Sequence, residues 1–153
     1  MKNIIRSFRD LEVYQKLVQL HLEIDELTMR FPAHERYELG SQVRRSSNAA
    51  PAILAEGWNN KHTKIYLEAI SRAIGEVQET GHHVDVAFRK HYLETQQHVT
   101  FLKRYDECEK MLWGLAKAVS ASNGTSNPHT SHLPGPPLTR AGAGTPHTSD
   151  APR

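Results

Sequence analysis

A few small groups of residues carry chemistry worth weighing. Glu79-Thr80-Gly81-His82 has the Glu-x-x-His spacing that puts both side chains on one helix face. Helical bundles hold paired metal ions with two copies of that pattern and two further inward carboxylates. No second copy occurs, so a glutamate near a helix-surface histidine is expected, with no metal and no cofactor. Cys108 falls on the apolar stripe of its segment, where a thiol acts as a small inert hydrophobe. A nucleophile elbow needs Gly-x-Ser-x-Gly and a phosphate cradle needs a Gly-rich loop; neither is present. The bundle-type ribonucleases of toxin systems place four to six residues between an Arg and a His. Every arginine in residues 1–120 fails that spacing, Arg30 and His34 having three residues between them. The chain is therefore expected not to be an enzyme.

Nucleic-acid binding is the better chemical reading. Arg44-Arg45 lies in an apolar-periodic segment, and Lys61, His62 and Lys64 follow close to Trp58. A guanidinium grips phosphate through two parallel hydrogen bonds, and an exposed indole stacks on a base. The competing reading pairs the arginines with carboxylates such as Glu38 and Glu56 on a solvated face. An adjacent Arg pair inside a helix also cannot have both members facing one way. Arg89-Lys90-His91 reads more simply as cations closing a helix C-terminus.

The elements that must position these groups are helical. From Asp10 to Arg30, Tyr14, Leu17, Leu20, Ile24 and Leu27 form one stripe. Ser7 and Asp10 resemble a capping box, and Phe31-Pro32 ends the segment. A second segment, Glu35 to Gly57, places Leu39, Val43, Ser46, Ala50 and Ile53 on one face, small enough for another backbone to approach. Pro51 inside it predicts a kink or break, and Gly57 a C-terminal stop. The third starts at Thr63 as N-cap and carries Tyr66, Ile70, Ala73, Val77, Thr80, Val84 and Ala87, with Leu67, Ile74 and Phe88 alongside. So wide an apolar face suits a helix with two neighbours. The fourth spans Thr95 to Ser120 through Leu102, Tyr105, Cys108, Leu112, Leu115 and Val119. Four amphipathic segments with short connections predict an all-α, antiparallel up-down four-helix bundle.

Composition divides the 153-residue chain in two. Residues 121–153 hold six Pro, four Gly, five Thr and four Ser, and among the large aliphatics only Leu133 and Leu138. Such a segment cannot bury enough apolar surface to offset its ordering entropy, so a disordered tail is expected there, with the bundle over 1–120. The bundle region has 17 Lys plus Arg against 16 Asp plus Glu, so any nucleic-acid surface must be a local patch or one multiplied by symmetry. No apolar run reaches membrane-spanning length, and the basic start lacks a signal-type apolar stretch. With a single cysteine, a reducing cytoplasm is expected. Leu11, Val18 and Leu22 lie off the first stripe, and that surplus apolar surface points to self-association.

The stretch Phe8-Arg9-Asp10-Leu11-Glu12-Val13-Tyr14-Gln15-Lys16 resembles the opening of the bacterial four-helix-bundle proteins encoded by large-subunit rRNA intervening sequences. That family is similar to the accessory variability proteins of diversity-generating retroelements. The resemblance continues through Phe31-Pro32, Glu35-Arg36-Tyr37-Glu38-Leu39, Ser41-Gln42-Val43-Arg44-Arg45, Pro51-Ala52, Ala55-Glu56-Gly57, Ala73-Ile74-Gly75 and Glu79. This chain departs at Ile53, where the family usually has Asn, and at Ser46, Ser47 and Asn48, where small apolar residues are common. The resemblance implies a non-catalytic, ring-like homopentamer. In the retroelement branch such a pentamer binds template RNA and a reverse transcriptase; the alternative branch is a structural oligomer with no nucleic-acid role. The residues assigned to an RNA or DNA contact are Arg44, Arg45, Lys61, Lys64 and Trp58.

Overall fold

The computed structural model describes residues 4–124. The first four residues of the expected 121–153 tail are helical and complete the last helix, and the rest, from residue 125 onward, lies outside the described residues. A single 3-10 turn, Phe8–Asp10, precedes α1 (Glu12–Thr28), a one-turn α2 (Ala33–Arg36), α3 (Leu39–Gly57), α4 (Thr63–Arg89) and α5 (Thr95–Gly124). The four long helices form an antiparallel up-down bundle in the cyclic order α1, α3, α4, α5. The α3–α4 seam is the most extensive and the α5–α1 seam the thinnest. No described residue is in a strand, and no described helix is long and apolar enough to cross a membrane.

The capping box forms as expected, but it closes the 3-10 turn and not α1. Ser7 Oγ accepts from the Arg9 N–H, and Asp10 Oδ2 accepts from the N–H groups of Arg6 and Ser7 at 2.8 and 2.9 Å. Those donors hold the Asp10 carboxyl below its ordinary range. The second predicted segment is divided. Ala33–Arg36 makes its own turn, and α3 restarts at Leu39, with Glu38 in a non-helical conformation between them. Pro51 does not break α3; it is buried, and the helix runs on to Gly57 because one missing N–H removes a single bond from a ladder held by packing on both sides. Thr63 is the first residue of α4 and His62 the cap, with no side-chain capping bond.

Most of the predicted core is buried: Leu17, Leu20, Ile24, Val43, Ala50, the whole Tyr66-to-Ala87 stripe, Tyr105, Cys108 and Leu112. Two positions shift by one residue. Leu54 is fully buried where Ile53 was expected, and Phe101 where Leu102 was expected; Ile53 and Leu102 pack at the margin. Of the surplus apolar residues on α1, Leu11 is buried, Val18 half-buried and Leu22 57% exposed.

Small residues let α3 lie close on α4. Ser46 and Thr80 meet inside the seam at 2.8 Å, and a Cβ on Gly57 would collide with the Cβ of Ala69. Close approach, and not left-handed backbone, is thus what requires glycine at 57; the positive φ (49°) falls on Asn59. At the far end of α4, His91 takes φ 63°. The Tyr92 N–H reaches the Ala87 carbonyl at 3.0 Å and the His91 N–H the Phe88 carbonyl at 2.9 Å, closing the helix in a Schellman arrangement.

Candidate nucleic-acid interface

Adjacent residues on a helix point about 100° apart, and the two arginines of α3 go to different neighbours. Arg44 turns toward the end of α1 and is half-buried. Its Nη1 donates to Thr28 Oγ1 at 2.8 Å and its Nη2 to the Arg36 carbonyl at 2.7 Å. The expected partner Glu56 is exposed, three turns along α3, and makes no such contact. Gly40 leaves the guanidinium its room: a Cβ there would stand 3.1 Å from Arg44 Nη1 and 3.0 Å from the Glu35 carbonyl oxygen. Arg44 thus joins α1, α2 and α3. The buried Glu35 adds a link to α4 through Lys90 at 2.8 Å, a bond that holds the Glu35 carboxyl below its usual range.

Arg45 turns toward α4. It pairs with Glu79 at 2.5 Å and lies 3.6 Å from Glu76. Glu79 also faces His83 at 3.3 Å, so the glutamate of the Glu-x-x-His pattern engages a different histidine, and His82 is left exposed. The Arg45 hydrogen bond, then that from His83, lowers the Glu79 carboxyl against the opposing effect of burial. Among the described residues no group of three or more His, Cys, Asp or Glu is placed to hold a metal. Burial pushes the Cys108 thiol up to about 11, which keeps it protonated and unreactive at neutral pH.

The other three assigned residues sit together at the corner between α3 and α4. Trp58 is half-buried and packs against the core. Lys61 and Lys64 are exposed, and neither forms an ion pair. The Asn60 side chain accepts from the His62 N–H at 2.9 Å, and the Asn60 N–H reaches the Gly57 carbonyl at 3.2 Å, which fixes the corner. The structure thus groups Trp58, Lys61 and Lys64, and separates them from Arg44 and Arg45, which are engaged within the fold.

A lysine row on α5 escaped the sequence reading. Lys103, Lys110 and Lys117 recur every seven residues and all are exposed, as is Trp113 between the last two. The heptad spacing was visible in the sequence; what hid the row was that α5's outward side depends on where its neighbours pack.

An all-α bundle with charged residues disposed along its outer faces defines the class of protein. The family model for 23S rRNA-intervening sequence proteins matches residues 9–114, and the chain belongs to that family. A crystal structure of a protein of unknown function from the S23 ribosomal protein family of Bacteroides thetaiotaomicron is similar in fold, with a TM-score of 0.64 at 19% identity. The similarity covers 69% of this chain and 95% of that one. No curated protein matches this chain.

Proposed function

We propose that the protein is a non-catalytic, self-associating scaffold that binds nucleic acid. The observation that carries this reading is the corner of unpaired cations: Lys61 and Lys64 stand exposed beside Trp58, while Arg45 is neutralised by glutamates of α4. Phosphate is the ligand such cations suit, because each contact releases condensed counterions. Leu22 of α1 and Met29 at its C-terminal cap, 57% and 54% exposed and two turns apart, support self-association. A five-membered ring and a reverse transcriptase as protein partner belong to the same proposal and rest on the family resemblance.

Sedimentation of the full chain together with anisotropy titration of labelled single-stranded RNA tests the reading. An oligomer that binds at 50 mM salt and loses affinity steeply by 200 mM is the expected result. Lys61→Ala/Lys64→Ala should weaken binding several-fold without changing the oligomer. A chain that assembles yet binds neither RNA nor DNA is instead a structural oligomer of the family, and a monomer at micromolar concentration removes the scaffold.

A further inference from the structure

We infer that single-stranded nucleic acid lies along the outer face of α5, with phosphates against Lys103, Lys110 and Lys117 and a base stacked on Trp113. This rests on the nucleic-acid reading above and extends it from the α3–α4 corner to a track.

The contacts of α5 settle which of its sides is free. Glu109 bonds Gln78 at 3.0 Å, His98 bonds Asp85 at 2.6 Å and Asn123 meets Thr63 at 3.3 Å, so one side faces α4. Glu107 and Arg104 pair with Lys16 and Glu23, so another faces α1. Phe101, Tyr105, Cys108 and Leu112 fill the core. The open side carries Val99, Lys103, Asp106, Lys110, Trp113 and Lys117, at steps of three and four, all exposed. None of the three lysines forms an ion pair, and Asp106 is the one acid in the row.

Heptad spacing separates the lysines by about 10 Å along the axis, so the row covers about 20 Å, the length of a short run of nucleotides. Trp113 is 56% exposed. Its Nε1–H donates to Glu109 Oε1 at 3.4 Å, which steadies the indole from within the helix. An exposed indole between two phosphate-binding cations is the arrangement that takes a base out of solution, and it is indifferent to base identity. The Thr63–Asn123 contact sets the first turn of α4 beside the last turn of α5, so the row runs toward the end that carries Lys61 and Lys64. A second copy of this face is a poor occupant, because a two-fold contact would set lysine against lysine. An acidic peptide would satisfy the lysines but offers no ring to stack on Trp113.

The test uses the full chain, a labelled uridine RNA of about 20 nucleotides, a duplex hairpin of equal length and poly-glutamate. Lys103→Gln/Lys110→Gln/Lys117→Gln should bind the single strand about tenfold or more weakly at low salt. Its dependence of log affinity on log salt should be shallower by about 2, the value for three phosphate contacts on a single strand. Trp113→Ala should weaken single-strand binding at least about fivefold and leave the hairpin nearly unaffected. RNA should quench tryptophan emission in the parent, and Trp113→Phe, which keeps the half-buried Trp58, should remove most of the quenching. Parent-like RNA affinity in the triple variant at every salt concentration would overturn the α5 track and leave the nucleic-acid reading standing. Absence of any RNA or DNA binding by the parent overturns both. Unchanged binding by Trp113→Ala, or emission quenching by poly-glutamate equal to that by RNA, assigns the row to an acidic protein partner and overturns the single-strand proposal. A Trp113→Ala variant that falls to monomers assigns the face to self-association and does the same.

Discussion

Two basic stretches of this molecule, the arginine pair of α3 and the lysine row of α5, serve opposite ends. α3 lies between α1 and α4 and presses closely on the latter, so a cation there meets a neighbour within a side chain's length. Arg44 finds a hydroxyl and a carbonyl, Arg45 two glutamates. α5 leaves one side open, and the lysines of that side are exposed and form no ion pair, Lys103 acting on the Glu107 carboxylate only through its charge. An adjacent pair of cations, the most conspicuous basic feature of the sequence, is thereby structural, whereas three lysines spaced seven apart remain free for a ligand.

The sharpest way to break this contrast is Arg44→Ala. It removes two hydrogen bonds from a charged donor and leaves the Arg36 carbonyl and Thr28 hydroxyl without that partner, at an expected cost of about 2–3 kcal/mol by denaturant unfolding. RNA affinity of the folded fraction should be unchanged. A variant that melts like the parent but loses RNA binding would return Arg44 to the interface.

Arg45→Ala should cost less than about 1 kcal/mol, since its ion pairs are half in solvent and screened. Its signature is in the pH profile. The folded-state pKa of Glu79 lies below its unfolded value, so the pair's contribution is complete above the unfolded carboxylate range near ~4.3 and fades as pH falls through the folded value. Arg45→Ala should flatten that part of the acid limb and Glu79→Gln more so, because it also removes the His83 contribution, and the double variant should add little to Glu79→Gln.

The smallest stability effect belongs to the lysine row. Lys103→Gln/Lys110→Gln/Lys117→Gln should unfold within about 0.5 kcal/mol of the parent, because only the solvent-screened attraction of Lys103 on Glu107 is removed. A loss of several kcal/mol would place these side chains in an interface between copies.

The sequence by itself determined the four long amphipathic helices, the antiparallel connectivity and nearly all of the α4 stripe, because three-four periodicity reports the buried side of a helix directly. Its local signals were read correctly in kind and sometimes misplaced in role. The Ser7–Asp10 box caps a 3-10 turn, and Gly57 serves close packing while Asn59 takes the left-handed turn. The choice of Leu54 over Ile53, and of Phe101 over Leu102, turned on a rotation of roughly 100°, which two adjacent apolar residues at the edge of a stripe leave open. Of the candidate site, the Trp58, Lys61 and Lys64 cluster was legible because the three fall within seven consecutive residues at the α3–α4 corner. The division of Arg44 from Arg45 and the freedom of the α5 lysines were not, because a cation's availability depends on which carboxylates and carbonyls other helices bring within reach. Periodicity sets the phase of each helix about its own axis; only packing sets one phase against another.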